Sequence, residues 1–423
     1  MSGLPASLAA YRIATGLAEP LAPMLLRARV RRGKEDLARL GERLGRASLP
    51  RPDGPLAWLH GASLGEALSL LPLAQDLVQA RPGLTVLITS GTRTAAELLA
   101  QRLPAYVLHQ YAPVDGPAAA RRFLDHWRPD LGAFVESELW PNLLIEAHRR
   151  RVPMALLSAK LSDSSLRNWG RLANAARTLF SAFSLVLAQD ARSGERLSGL
   201  GIAVAGVADL KFGAGPLPVD DAALSAARAE IGARPVLLAA STHPGEDERI
   251  LGQFAALPHS ASSEPLLVIV PRHPERGAAI AALAAGRGLT VTRQGAGEPI
   301  GRAQVRVADA LGELGLWYRL ANLAIVAGSL MDGVGGHNPL EPARLGCPFV
   351  SGPHVENWRS AYAGLIEHDA TVLVASEALD DWLALAAGRA PRLCAMAERA
   401  KIQVAERDGQ ARTVAGRLLA LMP

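Results

Sequence analysis

The feature that most constrains this chain is a rhythm that occurs twice: short, uninterrupted apolar runs alternating with helix-like stretches. In the first series the runs Leu56–His60, Thr85–Thr89, Leu131–Glu136, Met154–Ser158 and Leu185–Ala188 read as strands. Helices are predicted between them, over 65–80, Arg93–Arg102 and Trp140–Arg151, the last with Pro141 in its first turn. Gly213–Asp221, rich in Gly, Pro and Asp, interrupts the pattern and reads as a linker. A second series follows: Val236–Ala240, Leu266–Val270, Thr290–Thr292, Val305–Val307, Leu323–Ala327 and Phe349–Ser351. Strands that are apolar on both sides must be covered on both faces, which requires parallel sheets layered with helices. The sequence therefore predicts an α/β chain with two Rossmann-like halves facing each other across a cleft. Ligands in such sheets bind outside the carboxyl ends of the strands.

Composition narrows the function. With 49% apolar and 20% charged residues the chain has ample material for a core. Aromatic residues make up only 4%, too few for a single-strand platform of stacked rings, and no nucleic-acid partner is expected. Two cysteines, Cys347 and Cys394, supply neither a disulfide framework nor a cysteine metal site. The net charge of +5 is almost wholly arginine, with lysine at positions 34, 160, 211 and 401 alone.

The amino-terminal stretch Leu4–Leu26 is mostly apolar, yet Pro5, Arg12, Glu19, Pro20 and Pro23 interrupt it. It lacks the character of a secretory leader and the roughly 20 continuous apolar residues of a spanning helix. The basic cluster Arg27, Arg29, Arg31, Arg32 and Lys34 follows directly. An interfacial segment beside cations fits an anionic membrane surface; a helix packed on the domain is the alternative.

Four constellations carry chemistry. In Trp58-Leu-His-Gly-Ala-Ser-Leu-Gly-Glu66 a strand turns into a helix with Glu66 in the first turn, where free N–H groups favour an anion. Ser63 and Glu66 also have the spacing of a capping box, so these residues alone leave the role open. In Glu136-Ser-Glu-Leu-Trp-Pro-Asn142 two carboxylates stand at a strand terminus, an address that packing does not demand. In Ala240-Ser-Thr-His-Pro-Gly-Glu-Asp247 and Pro271-Arg-His-Pro-Glu-Arg276, Arg272 offers a forked donor to a phosphate or carboxylate. No spacing of His, Cys and carboxylates suits zinc, and no metal is expected.

The fourth, Gly328-Ser-Leu-Met-Asp-Gly-Val-Gly-Gly-His-Asn-Pro-Leu-Glu-Pro342, runs from a buried strand through a glycine-rich loop into a helix near Pro339. Glycines permit close backbone approach, and helix amides can hold phosphate. Glu341 could accept hydrogen bonds from a ribose diol. The loop has no Gly-Lys-Ser/Thr and is no Walker motif. It predicts nucleotide binding in the second half.

Taken together, HGASLGE, ESELWPN, ASTHPGEDE, PRHPER, LGELGLWY, AGSL with GGHNPLEPA, and GPHVENW resemble, in order and over residues 30–400, the 3-deoxy-D-manno-octulosonic acid (Kdo) transferases. The resemblance implies a GT-B glycosyltransferase that moves Kdo from CMP-Kdo to the lipid A precursor lipid IV(A) at the cytoplasmic face of the inner membrane, as a peripheral or monotopic protein. It implies Glu66 as general base in a Ser-x-Gly-Glu motif that includes Ser63 and Gly65. Glu136 and Lys211 match positions that stabilise the transition state. Pro271 and Arg272, Leu311, Gly312 and Glu313, and Asn338, Pro339, Leu340 and Glu341 match segments that hold CMP. No cofactor beyond the donor substrate is implied. One departure is Ala208-Asp-Leu-Lys-Phe-Gly213, where the family usually has Gly-Ser/Asn-Leu-Lys-Phe-Asp.

On this reading the chain divides into a membrane-associating, acceptor-side segment (residues 1–50), an acceptor domain (51–212), a linker (213–222) and a CMP-sugar domain (223–398). A carboxy-terminal helix (399–423) is expected to pack back on the first domain. Two other functions suit the same architecture: a UDP-GlcNAc 2-epimerase, and a non-catalytic nucleotide-binding membrane adaptor.

Overall fold

The computed structural model describes residues 4–104, 106–161, 163–213, 215–257, 264–388, 390–407 and 409–423. Residues 1–3 of the amino-terminal segment, Ala214 of the linker and Asp408 of the carboxy-terminal segment lie outside the described residues. The chain forms two compact units, Met1–Ala214 with Asp408–Pro423, and Gly215–Arg407.

The first unit holds a six-stranded parallel sheet of β1 (Leu56–His60), β2 (Thr85–Ser90), β3 (Val107–Tyr111), β4 (Leu131–Val135), β5 (Met154–Ala159) and β6 (Phe183–Ala188). Their order, β3-β2-β1-β4-β5-β6, is the Rossmann order. The fully buried β1 and β4 pair at the centre, in register from Ala57 opposite Leu131. Trp58 fills one face of the sheet, its ring 4.9 Å from Phe123 and 5.0 Å from Phe134. Strand β3 is absent from the sequence reading because Val-Leu-His-Gln-Tyr carries two polar residues. Both are buried and partnered through tertiary contacts: His109 Nε2 lies 2.9 Å from Ser90 Oγ, and Trp127 Nε1 donates to Gln110 Oε1 at 2.8 Å.

The second unit holds β7 (Val236–Thr242), β8 (Leu266–Pro271), β9 (Val291–Arg293), β10 (Val305–Val307), β11 (Leu323–Val326) and β12 (Phe349–Ser351), in the order β12-β11-β7-β8-β10-β9. Each sheet reverses direction once beside its first strand, between β1 and β4 in one and between β7 and β11 in the other. Crevices beyond the carboxyl ends of strands open at such switch points.

The carboxy-terminal segment is two helices, not one. Pro391–Ala405 belongs to the second unit, so residues 399–405 do not return. Gln410–Leu419 does return, packing Val414, Ala415 and Leu418 into the core under the helix Leu64–Ala80.

At the other end, helix Ala6–Ala18, a 3₁₀ turn Glu19–Leu21 and helix Ala22–Arg31 pack on the first unit. The polar residues that interrupt the apolar stretch are its attachments. Arg12 pairs with the buried Glu146 at 2.5 Å, and Glu19 caps the helix Pro117–Trp127 by accepting from the N–H groups of Ala118 and Ala119. The apolar residues Ile13, Leu17, Leu21, Met24 and Leu25 face outward, between 54% and 76% exposed. Of the five clustered cations, Arg29 is bound to the buried Glu35 at 2.8 Å. The others, Arg27, Arg31, Arg32 and Lys34, are exposed.

Candidate functional site

At the β1/β4 switch point the chain leaves β1 through Gly61, where a Cβ would stand 2.8 Å from the amide of Ala67. That close approach seats Ser63 as N-cap of the helix Leu64–Ala80, its Oγ accepting from Glu66 N. Glu66 answers in kind, accepting from Ala62 N at 2.8 Å and from Ser63 Oγ at 2.6 Å. The Ser63–Glu66 cap is therefore real, with the carboxylate reaching the amide of Ala62, one residue before the N-cap. It also fixes the Glu66 carboxyl in one orientation at the head of the helix.

Burial raises the pKa of Glu66 above the usual carboxylate range; the Ser63 hydrogen bond opposes this, and the neighbouring carboxylates Glu136 and Glu138 add to it. Glu136 follows β4 directly and takes a left-handed backbone (φ +58°), unusual for a side-chain-bearing residue. Its Oε1 lies 2.8 Å from Lys211 Nζ. Glu138 accepts from Trp140 Nε1 at 2.6 Å and lies 3.8 Å from the buried His60 Nε2. Burial would raise its pKa, but His60 and Trp140 outweigh that and hold it low. Glu138 and His60 entered the sequence reading only as members of their motifs. Their pairing joins two strand ends and leaves no local signal.

Lys211 sits on a 3₁₀ turn, Leu210–Gly213, beyond β6. Asp209 precedes it, and its Oδ1 accepts from Lys211 N at 3.0 Å, an Asx-type turn that fixes where the lysine emerges. This is the position where the chain departs from the Ser/Asn of the resemblance. A hydroxyl or amide oxygen would make the same bond, so the departure preserves the geometry. Ser158 closes the support, accepting from Leu210 N at 2.9 Å.

The second constellation gathers at the β7/β11 switch point. Here Glu246, fully buried, accepts four backbone N–H bonds: from His243 at 2.9 Å, Gly328 at 2.8 Å, Ser329 at 3.0 Å and Leu330 at 2.9 Å. One carboxylate thus ties the start of its own helix to the glycine-rich loop. The amides of residues 328–330 at the start of the loop are therefore occupied from within. The glycines serve close packing. A Cβ on Gly328 would meet the His337 ring at 2.7 Å, and one on Gly335 the Asn357 amide at 2.7 Å. The helix after Pro339 is a single short piece, Leu340–Arg344. Asn338 caps it, accepting from Leu340 N at 3.0 Å, and its amide reaches Glu341 Oε1 at 3.4 Å.

His337 Nε2 lies 3.0 Å from His243 Nε2 with the rings stacked 5.1 Å apart. One ring must donate and the other accept, so the pair carries at most one charge. Burial, then His243 and Arg272, push His337 down to about 4. Arg272 leaves β8 through its N–H bond to Thr242 O at 3.0 Å. Its exposed guanidinium donates no hydrogen bond to any described residue. Among the described residues no group of three His, Cys or carboxylate side chains could hold a metal ion.

Leu311, Gly312 and Glu313 line a hollow of about 210 Å³ with Pro218, Val219 and Asp220. Leu311 is 86% exposed at its rim. A Cβ on Gly315 would stand 2.1 Å from Pro218 O, so the segment after Gly215 lies directly on the helix Leu314–Leu320. The sequence-predicted residues thus fall into two groups. Ser63, Gly65, Glu66, Glu136 and Lys211 belong to the first unit. Pro271, Arg272, Leu311–Glu313 and Asn338–Glu341 belong to the second.

Comparison with known proteins adds independent findings. Residues 38–214 match the family described as 3-deoxy-D-manno-octulosonic-acid transferase (kdotransferase). The chain is 36% identical over 355 residues to a probable mitochondrial 3-deoxy-D-manno-octulosonic acid transferase of Arabidopsis thaliana, covering 82% of this chain and 79% of that one. It is 38% identical over 387 residues to the Bordetella pertussis 3-deoxy-D-manno-octulosonic acid transferase, covering 88% and 89%. Among solved structures, the UDP-GlcNAc 2-epimerase of Neisseria meningitidis aligns at 15% identity with a TM-score of 0.59, covering 87% of this chain and all of that one. The Acinetobacter baumannii MurG aligns at 14% with a TM-score of 0.55 and the same coverage. At such identities the structures speak for the fold alone, two parallel-sheet α/β domains of the GT-B class.

Proposed function

Because the chain belongs to the 3-deoxy-D-manno-octulosonic acid transferase family and is a glycosyltransferase of GT-B fold, we propose that it moves Kdo from CMP-Kdo to the lipid A precursor lipid IV(A), with inversion and with Glu66 as general base. The observation that carries this reading is the first-unit cluster: a carboxyl of raised pKa, held in orientation by Ser63 and Ala62, beside the Lys211–Glu136 pair.

Glu66 takes the proton of the acceptor hydroxyl as its oxygen attacks the anomeric carbon of Kdo. The bond from that carbon to the phosphate oxygen breaks on the opposite face, and its electron pair leaves with CMP. A base poised nearer neutrality than an ordinary carboxylate suits this step. Lys211, oriented by Glu136, supplies positive charge beside the reacting centre. Arg272, with no protein acceptor of its own among the described residues, balances the charge that grows on the departing phosphate. With that cation in place the reaction is expected to need no divalent metal and no cofactor beyond the donor. Glu341 and the Leu311–Glu313 hollow are assigned to the nucleoside.

The acceptor is anchored in a membrane, and the amino-terminal segment suits it. No described helix is long and apolar enough to cross a bilayer. The outward face of Ile13, Leu17, Leu21, Met24 and Leu25 followed by Arg27, Arg31, Arg32 and Lys34 matches a peripheral attachment to the anionic cytoplasmic surface of the inner membrane. Incubation with CMP-Kdo and tetra-acylated lipid A precursor, followed by CMP release and product mass, tests the whole reading. Transfer of Kdo supports it. Conversion of UDP-GlcNAc, or CMP-Kdo binding without turnover, would replace it with the epimerase or the adaptor.

A further inference from the structure

A cavity of about 650 Å³ opens in the first unit, within the size range of small-ligand sites. It is not part of the reaction site. Arg151, Val152 and Pro153 of its lining precede β5, and Ser181 and Ala182 precede β6. The cavity therefore lies at the amino ends of these strands, whereas Glu66 and Glu136 follow the carboxyl ends of β1 and β4. The six residues of β5 span roughly 20 Å at about 3.3 Å each.

The lining has two characters. Ile145, Val152 and Ala182 make an apolar floor, and Leu4, just ahead of the helix Ala6–Ala18, adds an apolar wall. Arg149 and Arg151 make a cationic rim beside His148. Arg151 ends the helix Pro141–Arg149 in the left-handed region (φ +58°), where glycine is the comfortable residue, while Val152 N closes the turn on Ala147 O at 3.0 Å. Local charge is not balanced. Glu146 is shared by Arg12, Arg149 and Arg150 at 2.5, 3.2 and 2.7 Å, and Asp125 takes Arg150 at 2.6 Å. Arg151 makes no ion pair or side-chain hydrogen bond with any described residue. Four guanidiniums thus have two carboxylates among them, and of the four Arg149 and Arg151 line the hollow.

We propose that this cavity seats the headgroup of an anionic bilayer phospholipid. Its phosphodiester lies against Arg149 and Arg151, and its glycerol and first methylenes lie on Ile145, Val152 and Leu4. A free inorganic anion would use the rim and leave the floor unpaired; a neutral lipid would do the reverse. The site adjoins the amino-terminal helix whose outward face carries Ile13 and Leu17. It would give the protein a second lipid contact at the opposite end of that segment from Arg27–Lys34. The inference rests on the peripheral-membrane reading above.

The test uses the full chain with a tryptophan reporter, Leu4→Trp, titrated with monomeric dihexanoyl-phosphatidylglycerol, dihexanoyl-phosphatidylcholine or inorganic phosphate. A saturable emission change with the phosphatidylglycerol alone, abolished by Arg149→Gln/Arg151→Gln, is expected. An equal response to phosphatidylcholine or inorganic phosphate, or one indifferent to the double variant, overturns the proposal. In cosedimentation with phosphatidylglycerol-containing vesicles the double variant should bind about 25-fold more weakly, at about fivefold per charge. Its melting temperature and its transfer to detergent-dispersed acceptor should not change. Leu17→Glu/Met24→Glu separates the two ideas. If that variant loses vesicle binding while Arg149→Gln/Arg151→Gln keeps it, the cavity assignment fails and peripheral attachment stands. If wild type does not sediment with the vesicles at all, peripheral attachment fails too.

Discussion

Lys211 Nζ stands 2.8 Å from Glu136 Oε1, and Glu136 is in turn one of the two carboxylates whose charge helps raise the pKa of Glu66. One lysine therefore governs how much negative charge the proposed base feels. Lys211→Met leaves Glu136 uncompensated and should lower kcat about 10²–10³-fold, the usual cost of removing one aligned electrostatic group. It should also move the acid limb of the kcat/KM profile to higher pH. Glu136→Gln removes the anion and frees Lys211, so its acid limb should move to lower pH. Shifts of the same sign in both variants would show that the pair does not act on Glu66 through charge.

Glu66→Gln separates the two roles the sequence leaves open. Glutamine still completes a capping box but takes no proton. Transfer should fall about 10²–10⁴-fold while CMP affinity, measured by calorimetry, stays within error. Stability should move the other way. A carboxyl whose folded pKa is raised favours the fold in its protonated form. That contribution is fully present below its unfolded pKa and is lost as pH rises through the folded one. Glu66→Gln should therefore melt no lower than wild type at pH 7–8, with any advantage vanishing toward pH 4. Near wild-type turnover in this variant would reduce Glu66 to a helix cap.

These two carboxylates also mark how far the sequence could be read. Glu66 was legible because its partners, Ala62 and Ser63, lie within one helical turn. The central strands β1, β4, β7 and β11 were legible because continuous apolar runs admit few other readings. Strand β3 was not, since His109 and Gln110 find partners only after folding. Lys211 could be tied to Glu136 only through resemblance, because no spacing rule links a 3₁₀ turn beyond β6 to the end of β4. The glycine-rich loop was legible as a glycine-rich feature, but what holds its first amides was not. Their acceptor, Glu246, lies 82 to 84 residues earlier and leaves no mark in the loop itself.

Glu246 is accordingly expected to be a residue of stability. Glu246→Ala leaves four backbone N–H groups without their acceptor, three of them in the buried loop. Each unsatisfied buried donor costs about 1–3 kcal/mol, and partial relaxation should still leave a loss on the order of 3 kcal/mol or more. Urea denaturation followed by tryptophan fluorescence checks this. A midpoint equal to wild type would mean that water or another side chain replaces the carboxylate.

Arg272 and Glu341 should act on the donor and leave the fold alone. The Arg272 guanidinium has no acceptor among the described residues, so its removal leaves no orphaned partner. Arg272→Ala should weaken CMP by the value of one charge-assisted bond, about 1.5–3 kcal/mol, which is about 10- to 150-fold in Kd. Arg272→Lys should recover part of that loss, since the charge returns without the fork. Glu341→Ala should weaken CMP more than deoxy-CMP lacking the 2′-hydroxyl, because only the intact ribose diol can use both carboxylate oxygens. Calorimetric titration of each variant with both nucleotides separates phosphate from ribose. Activity should also persist in excess EDTA, with Arg272 balancing the leaving phosphate. If chelation abolishes transfer and Mg²⁺ restores it, the charge on the departing CMP is met by a metal and the role given to Arg272 is wrong.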